Sequence, residues 1–127
     1  MEIKGVHHLA ILVKDLETIT AFYRDDLGLK EIARHLHDDG RLRSVWLDAG
    51  GAFLAIEEAP ESEEPRTTED SAGHHLLALR IDASARRAIE QELAAKGIAV
   101  ERASRWTLYL RDPEGNRLGL SHHPEDP

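Results

Sequence analysis

The pattern of apolar and polar positions divides the chain into two similar halves. In the first half, a dense apolar run over Ile3–Val13 is followed by apolar residues at helical spacing over Leu16–Leu27. This pattern predicts a strand and then an amphipathic helix. Apolar residues occupy both the odd and the even positions of this strand, so both of its faces are predicted to be buried. Segments bounded by turn residues predict three more strands, over Leu29–Arg34, Arg41–Asp48 and Ala52–Glu58.

The second half repeats this order of elements. Here the first strand is predicted over His75–Ile81. Ser84 is expected to cap the following helix and Gly97 to end it, as Asp15 and Gly28 are expected to bound the first helix. The inward stripe of this second helix is predicted to consist of Ala85, Ala88, Ile89 and Leu93. The closing strands are predicted over Ile98–Arg102, Trp106–Arg111 and Arg117–His122.

Two histidines mark equivalent points of an internal repeat. His8 stands seven residues before an aspartate, Asp15, and His75 stands seven residues before another, Asp82. Segment 48–57 also lies over segment 112–121 without a gap, which places Ala55 opposite Gly119. A repeat of about sixty residues predicts two copies of one supersecondary unit.

The length fits one domain built from these two modules. A chain of 127 residues, 41% of them apolar, is sufficient for a compact core. We assign module 1 to about residues 1–58 and module 2 to about residues 74–123 of a single domain, residues 1–127. The segment 59–73 between them is acidic and contains two prolines, which is typical of a linker.

Composition excludes several classes of protein. The chain has no cysteine, which excludes disulfides, thiolate nucleophiles and cysteine-based zinc sites. Its net charge of −8 disfavours nucleic-acid binding and would steer a cationic ligand favourably. No apolar run reaches the roughly 20 residues that cross a bilayer, and the N-terminus lacks the pattern of a signal peptide. The sequence therefore predicts a cytoplasmic protein with no membrane partner.

Three segments in order resemble the vicinal oxygen chelate superfamily, which includes glyoxalases, extradiol dioxygenases and bleomycin-resistance proteins. They are VHHLAILVKDLETITAFYRDDLGL near the start, GHHLLALRID at the start of module 2, and LYLRDPEGNRLGL near the end. The resemblance covers nearly the whole chain and implies an α+β fold. Such a fold has two tandem βαβββ modules whose curved mixed sheets surround a central cavity, and its single-domain members are commonly homodimers.

The resemblance also implies where a metal would bind. Metalloenzymes of this superfamily hold a divalent ion with histidines and carboxylates at equivalent strand positions. Carried over to this sequence, the histidine positions fall on His8 and His75 and the carboxylate positions on Ala55 and Gly119. Neither alanine nor glycine binds a metal, and two neutral imidazoles are too few ligands to hold a labile ion firmly.

An atypical ligand set is the alternative. Strand alternation places Glu57 on the face of Ala55, and His123 on the face of Gly119. Converging with His8 and His75, these side chains would hold Zn, Ni, Mn or Fe in a metal-dependent lyase, epimerase or dioxygenase. A shift of two residues along a strand is roughly 6 to 7 Å, so this site requires a bulge or a change of register.

The other hypothesis is a protein that binds a small organic molecule in the cavity without a complete metal site. Trp46, Trp106 and Tyr109 lie in predicted strands and offer flat apolar surface to an aromatic ligand, although core packing is the commoner role of such residues. Ala55 and Gly119 leave space where metalloenzymes carry carboxylates. In this hypothesis the protein resembles the bleomycin-resistance proteins, which look like acidic dimers that sequester a cationic drug without chemistry. The ligand is therefore expected to be cationic or aromatic.

Overall fold

A computed structural model describes residues 1–61 and 72–127 of the chain. The chain forms two compact units, Met1–Glu64 and Pro65–Pro127. The first unit contains β1 (His8–Val13), α1 (Leu16–Ala21), a π-helical turn (Phe22–Asp26), β2 (Glu31–Leu36), β3 (Leu42–Asp48) and β4 (Phe53–Glu58). The second unit contains β5 (Leu77–Arg80), a 3-10 turn (Ala83–Ala85), α2 (Arg86–Ala95), β6 (Arg102–Ala103), β7 (Thr107–Arg111) and β8 (Arg117–Ser121).

Each unit has the predicted βαβββ order and forms one four-stranded mixed sheet. The strand orders are β1-β4-β3-β2 and β5-β8-β7-β6, so the first strand of each unit pairs with the last. That pair is parallel and the other pairs are antiparallel. The predicted α+β class and the two tandem modules are confirmed.

The helix of the first unit packs as its apolar spacing predicts. Asp15 caps α1, because its carboxylate accepts hydrogen bonds from the backbone N–H and the hydroxyl of Thr18. Gly28 follows the helical segment with a φ of 83°, a conformation that glycine adopts without strain. The side chains that the first unit buries from its helical segment and its sheet form one core: Val13, Leu16, Ile19, Phe22, Tyr23, Val45, Leu47, Leu54 and Ile56.

The predicted burial of the first strand on both faces is wrong. The strand begins only at His8, and three of the apolar side chains in the predicted range are largely exposed: Ile3 at 80%, Val6 at 71% and Leu12 at 50%. The reason is that α1 packs on one face of this sheet, over β3 and β4, so the side chains of β1 that point to the opposite face are left exposed. Its burial alternates along the strand, as in any strand with one covered face.

Three predictions for the second unit are also wrong. Ser84 does not cap α2, because a 3-10 turn precedes the helix and the cap residue Ala85 makes no side-chain hydrogen bond. Ala88 is exposed, and Leu93 is the buried residue of α2. The strand predicted over Ile98–Arg102 is reduced to the two residues of β6.

The predicted linker, residues 59–73, falls mainly on residues 62–71, which lie outside the described residues. Within residues 1–61 and 72–127, no helix is long and apolar enough to cross a membrane.

The two predicted caps give a matched test of the fold. We expect Asp15→Ala to lower the melting temperature by a few degrees, because it removes both hydrogen bonds to Thr18. Ser84→Ala serves as the control and should leave the melting temperature unchanged, since this serine makes no cap hydrogen bond. Equal effects of the two variants in thermal denaturation would contradict this account.

The Asp15 cap should also make stability depend on pH. Its hydrogen bonds with the hydroxyl and the N–H of Thr18 lower the pKa of Asp15 below its usual value. The contribution of the cap is therefore complete above the unfolded-state pKa of about 3.9, and it is lost as the pH falls through the lower folded-state pKa. Consequently, the difference in melting temperature between wild type and Asp15→Ala should shrink in that acidic range.

Candidate functional site

Strand pairing in the first unit determines which side chains share a face with His8. Along the parallel β1–β4 pair, His8 lies opposite Phe53, and Ala10 lies opposite Ala55. Across the antiparallel β3–β4 pair, Ala55 lies opposite Trp46. Because side chains alternate between the faces of a strand, all five lie on the sheet face that is not covered by α1.

A row of aromatic rings crosses all four strands on this face. The His8 ring stacks on Phe53 at 4.8 Å and 8°, and Phe53 stacks on Trp46 at 4.5 Å and 24°. The His35 ring then meets Trp46 edge-on at 4.7 Å. We call His8, Phe53, Trp46 and His35 the aromatic row. His8 is exposed and the other three side chains are half-buried, so the row is partly open to solvent.

Two nitrogens of the aromatic row have no hydrogen-bond partner in the described part of the chain. They are Nε1 of Trp46 and Nε2 of His35, and both atoms are buried. A buried polar group without a partner costs about 1–3 kcal/mol, so most such groups in proteins are paired. The row therefore has unused hydrogen-bonding capacity next to its apolar ring faces.

Strand pairing in the second unit corrects the alignment of the two histidines. Ala78 pairs with Gly119 as Ala10 pairs with Ala55. His8 lies two residues before Ala10, whereas Leu76 lies two residues before Ala78. The ladders therefore make Leu76, and not His75, the equivalent of His8.

The seven-residue spacing is misleading because the second turn begins sooner. Val13 is followed two residues later by the cap residue Asp15. Its equivalent Ile81 is followed immediately by Asp82, the cap residue of the 3-10 turn. The aspartates match in sequence spacing, but the strands before them are shifted by one residue.

Leu76 fills the space beside Gly119. A Cβ atom on Gly119 would lie 3.0 Å from Cδ1 of Leu76 and 3.0 Å from Cγ2 of Thr107. This is tighter than ordinary van der Waals contact. The position expected to carry a carboxylate in a metalloenzyme is therefore closed by apolar atoms of its own unit.

His75 lies just before β5 and contacts an arginine. Nη1 of Arg117 is 2.9 Å from Nδ1 of His75 and 3.0 Å from its Nε2. Tyr109 lies opposite Gly119 and is thus the equivalent of Trp46, with the guanidinium of Arg102 4.2 Å from its ring centre. His75, Tyr109, Arg102 and Arg117 line the same groove of about 360 Å³.

The remaining predicted site residues lie elsewhere in their units. Trp106 precedes β7 and meets His123 edge-on at 4.8 Å. Glu57 pairs with Ser44 on β3 and lines a groove at the end of that strand. Their assignment as ligand-binding or metal-binding residues stays a prediction.

The residues at the superfamily's metal positions do not fit a divalent ion. His8 provides an imidazole, but Nδ1 of this ring already lies 2.8 Å from Nδ1 of His7. The strand-equivalent positions are Ala55, Leu76 and Gly119, none of which has a donor side chain. Among the residues that the structure describes, no three His, Asp or Glu side chains are grouped to hold a metal.

Sequence reasoning missed several residues near these positions. Phe53 and His35 join the aromatic row through strand pairing, and Arg102 and Arg117 join the groove in the same way. The signal available in the sequence was alternation within each strand. Counted from Ala55 and Gly119, it places Phe53 and Arg117 on the same faces.

The family model of the Glyoxalase/Bleomycin resistance protein/Dioxygenase superfamily matches residues 5–120 of the chain. The chain belongs to this superfamily. YwkD from Bacillus subtilis (strain 168) is 31% identical over 102 residues, which cover 80% of this chain and 78% of YwkD.

Solved structures of the same fold agree. The crystal structure of SMU.1112c superposes on this chain with a TM-score of 0.74 and 29% sequence identity. The match covers 95% of this chain and 100% of the SMU.1112c chain. A mutant of the fosfomycin resistance protein FosX from Listeria monocytogenes is 20% identical in sequence and superposes with a TM-score of 0.71. The match covers 95% of this chain and 93% of the FosX chain. That mutant was solved with Mn(II) and 1S,2S-dihydroxypropylphosphonic acid. At that identity the likeness shows the fold alone.

The closed space beside Gly119 gives a test of this geometry. We expect Gly119→Ala to lower the free energy of unfolding by about 1 kcal/mol, because the new methyl group is crowded by Leu76 and Thr107. In a Leu76→Ala background the same change should cost less. A double-mutant cycle measured by urea denaturation checks this coupling, and strict additivity would contradict it.

Proposed function

We propose that this superfamily member binds a small organic molecule with a planar aromatic part, without using a metal at the superfamily's usual positions. The aromatic row carries this proposal. Four rings in contact across four strands form a partly exposed aromatic surface, which a planar ligand can contact by offset stacking or edge-to-face. Ala10 beside the row is exposed and has a small side chain, which favours the close approach of such a ligand.

The unpaired nitrogens of the row support the same proposal. Nε1 of Trp46 is a hydrogen-bond donor, and Nε2 of His35 donates or accepts according to its tautomer. Apolar surface combined with a small number of polar groups is typical of ligand sites. A small shift of either ring on binding would bring its nitrogen to a polar atom of the ligand.

The absence of donor side chains supports binding over metal-dependent chemistry. A two-histidine, one-carboxylate site supplies neutral nitrogen and anionic oxygen to a divalent ion. Ala55, Leu76 and Gly119 supply neither at the strand-equivalent positions. The carboxylate that would act as a base beside the metal is missing as well.

A divalent-metal-dependent lyase, epimerase or dioxygenase is the alternative function. His8 favours it, because this histidine keeps the first metal position of the superfamily. Such an enzyme would hold Zn, Ni, Mn or Fe through His8 and His75, with Glu57 or His123 as an atypical third ligand. A homodimer in the cytoplasm remains our expectation for either function.

Tryptophan fluorescence tests the proposed binding surface. The probes are 2-naphthoate, 2-naphthamidine and 2-naphthalenemethanol, which share one ring system and differ in charge. We expect at least one of them to quench tryptophan emission saturably. Trp46→Leu should weaken its binding about tenfold, since stacking of one ring contributes about 1–3 kcal/mol. Calorimetry gives the affinity of the variant, which has lost one of its fluorophores.

Leu36→Ala is the matched control for Trp46→Leu. Leu36 is an apolar residue of the same sheet, 55% exposed, and lies outside the aromatic row. Its truncation should leave the affinity of each probe unchanged. Binding that survives Trp46→Leu intact, or that is lost equally in Leu36→Ala, would exclude the aromatic row as the site.

Metal content separates the two functions. We expect protein purified without chelator or affinity tag to contain less than about one tenth of an equivalent of Zn, Ni, Mn or Fe by mass spectrometry. The donor set at His8 is too small to retain an ion through purification. A stoichiometric metal that disappears in His8→Ala would instead establish the metal-dependent alternative.

A further inference from the structure

The four strands of the second unit are cationic. Each contributes one arginine, and none of the four contains an aspartate or a glutamate. We call these residues the arginine face: Arg80, Arg102, Arg111 and Arg117. This is unexpected in a chain with a net charge of −8, and strands β1 to β4 of the first unit carry more acidic than basic residues.

Strand pairing brings all four arginines to one side of the sheet. Arg117 lies two residues before Gly119 on β8, and Arg111 is its direct partner on β7. Arg102 lies opposite Tyr109, the residue paired with Gly119. Arg80 pairs with Ser121, two residues after Gly119. Because side chains alternate along a strand, these residues share the face of Gly119.

Three of the four arginines, Arg102, Arg111 and Arg117, line one groove of about 360 Å³ together with Glu101. Arg102 lies over the Tyr109 ring and has no carboxylate partner within the described residues. Arg117 contacts the ring nitrogens of His75. Arg111 is half-buried, and its Nε donates to Glu101 at 2.7 Å, which partly offsets the positive charge.

The direct pairing of Arg111 with Arg117 is unfavourable by itself. Residues opposite each other in an antiparallel pair have Cβ atoms about 4.5–5.5 Å apart, and like charges at such positions destabilise a sheet. An anion bound between the two guanidinium groups would remove this repulsion. Arginine also matches carboxylate and phosphate oxygens with its planar fork of N–H donors.

We propose that the arginine face binds the oxyanion, a carboxylate or a phosphate, of a small organic acid. The groove at Arg102, Arg111 and Arg117 is its centre, and the Tyr109 ring provides an apolar wall for the adjoining part of the molecule. This inference goes beyond the proposed function: it assigns an anion site to the second unit by itself, and it does not depend on the aromatic row of the first unit.

The test uses probes that separate charge from shape. Benzoate and benzamidine are planar and of similar size but opposite charge, whereas inorganic phosphate has no aromatic part. Each is titrated at constant ionic strength into ¹⁵N-labelled protein and followed by NMR. We expect benzoate and phosphate to shift the amide signals around Arg102 and Arg117, and benzamidine to shift none of them.

Substitutions at the face should then weaken anion binding. Arg102→Gln and Arg117→Gln are each expected to weaken benzoate and phosphate about tenfold, since each removes a charge-assisted hydrogen-bond donor. Arg87→Gln, an exposed position on α2, removes the same charge from the same unit and should change neither affinity.

Three results would overturn the proposal. These are equal shifts with benzamidine, unchanged anion affinity in both face variants, and an equal loss in Arg87→Gln, which would indicate an effect of net charge alone. Trp46→Leu distinguishes this proposal from the proposed function. Phosphate should bind that variant normally, so a failure of the aromatic row leaves the anion site intact, and a failure of the anion site leaves the row.

Discussion

The parallel pairing of the first and last strand of each unit is the constraint on which the rest of the structure depends. It joins residues far apart in sequence, and with the alternation of side chains it decides which of them share a face. In the first unit, one face buries Val13 and Ile56 completely against the helix. The opposite face carries Ala55 and the aromatic row. The core and the candidate site thus lie on opposite sides of the same strands.

A one-residue difference in this pairing has large consequences, because it exchanges the faces of a strand. The shift between β1 and β5 puts Leu76 where a second metal-position histidine was expected, and Leu76 then packs where Gly119 has no side chain. In the first unit, Ala55 is 1% exposed beside Trp46. The two units lack a carboxylate at equivalent points, and apolar side chains occupy or border both.

Most of the architecture was predictable from the sequence, since it depends on local patterns. The βαβββ order follows from hydrophobic periodicity, the helix ends from Gly28 and Gly97, and the Ala55–Gly119 equivalence from an ungapped repeat. The faces of the strands were less predictable, because they depend on pairing between distant segments. An aspartate spacing that includes a turn could not reveal that the second turn begins one residue sooner. The aromatic row and the arginine face were missed for the same reason: each consists of side chains from four strands, and the pairing of those strands decides which of them share a face.

Net charge and local charge point to different ligands, and the local charge is the better guide. The net charge of −8 determines the electrostatic potential far from the protein surface. Dissolved salt screens that potential beyond about 8–10 Å. A ligand in contact with the sheet of the second unit meets the guanidinium groups of Arg102 and Arg117 at much shorter range. Acidic residues elsewhere on the chain do not cancel the positive potential at the groove. They lie farther from the ligand than the arginines, so salt and distance reduce their interaction with it more strongly. The acidic composition therefore favours solubility and disfavours nucleic acid, while the strands themselves select for an anion.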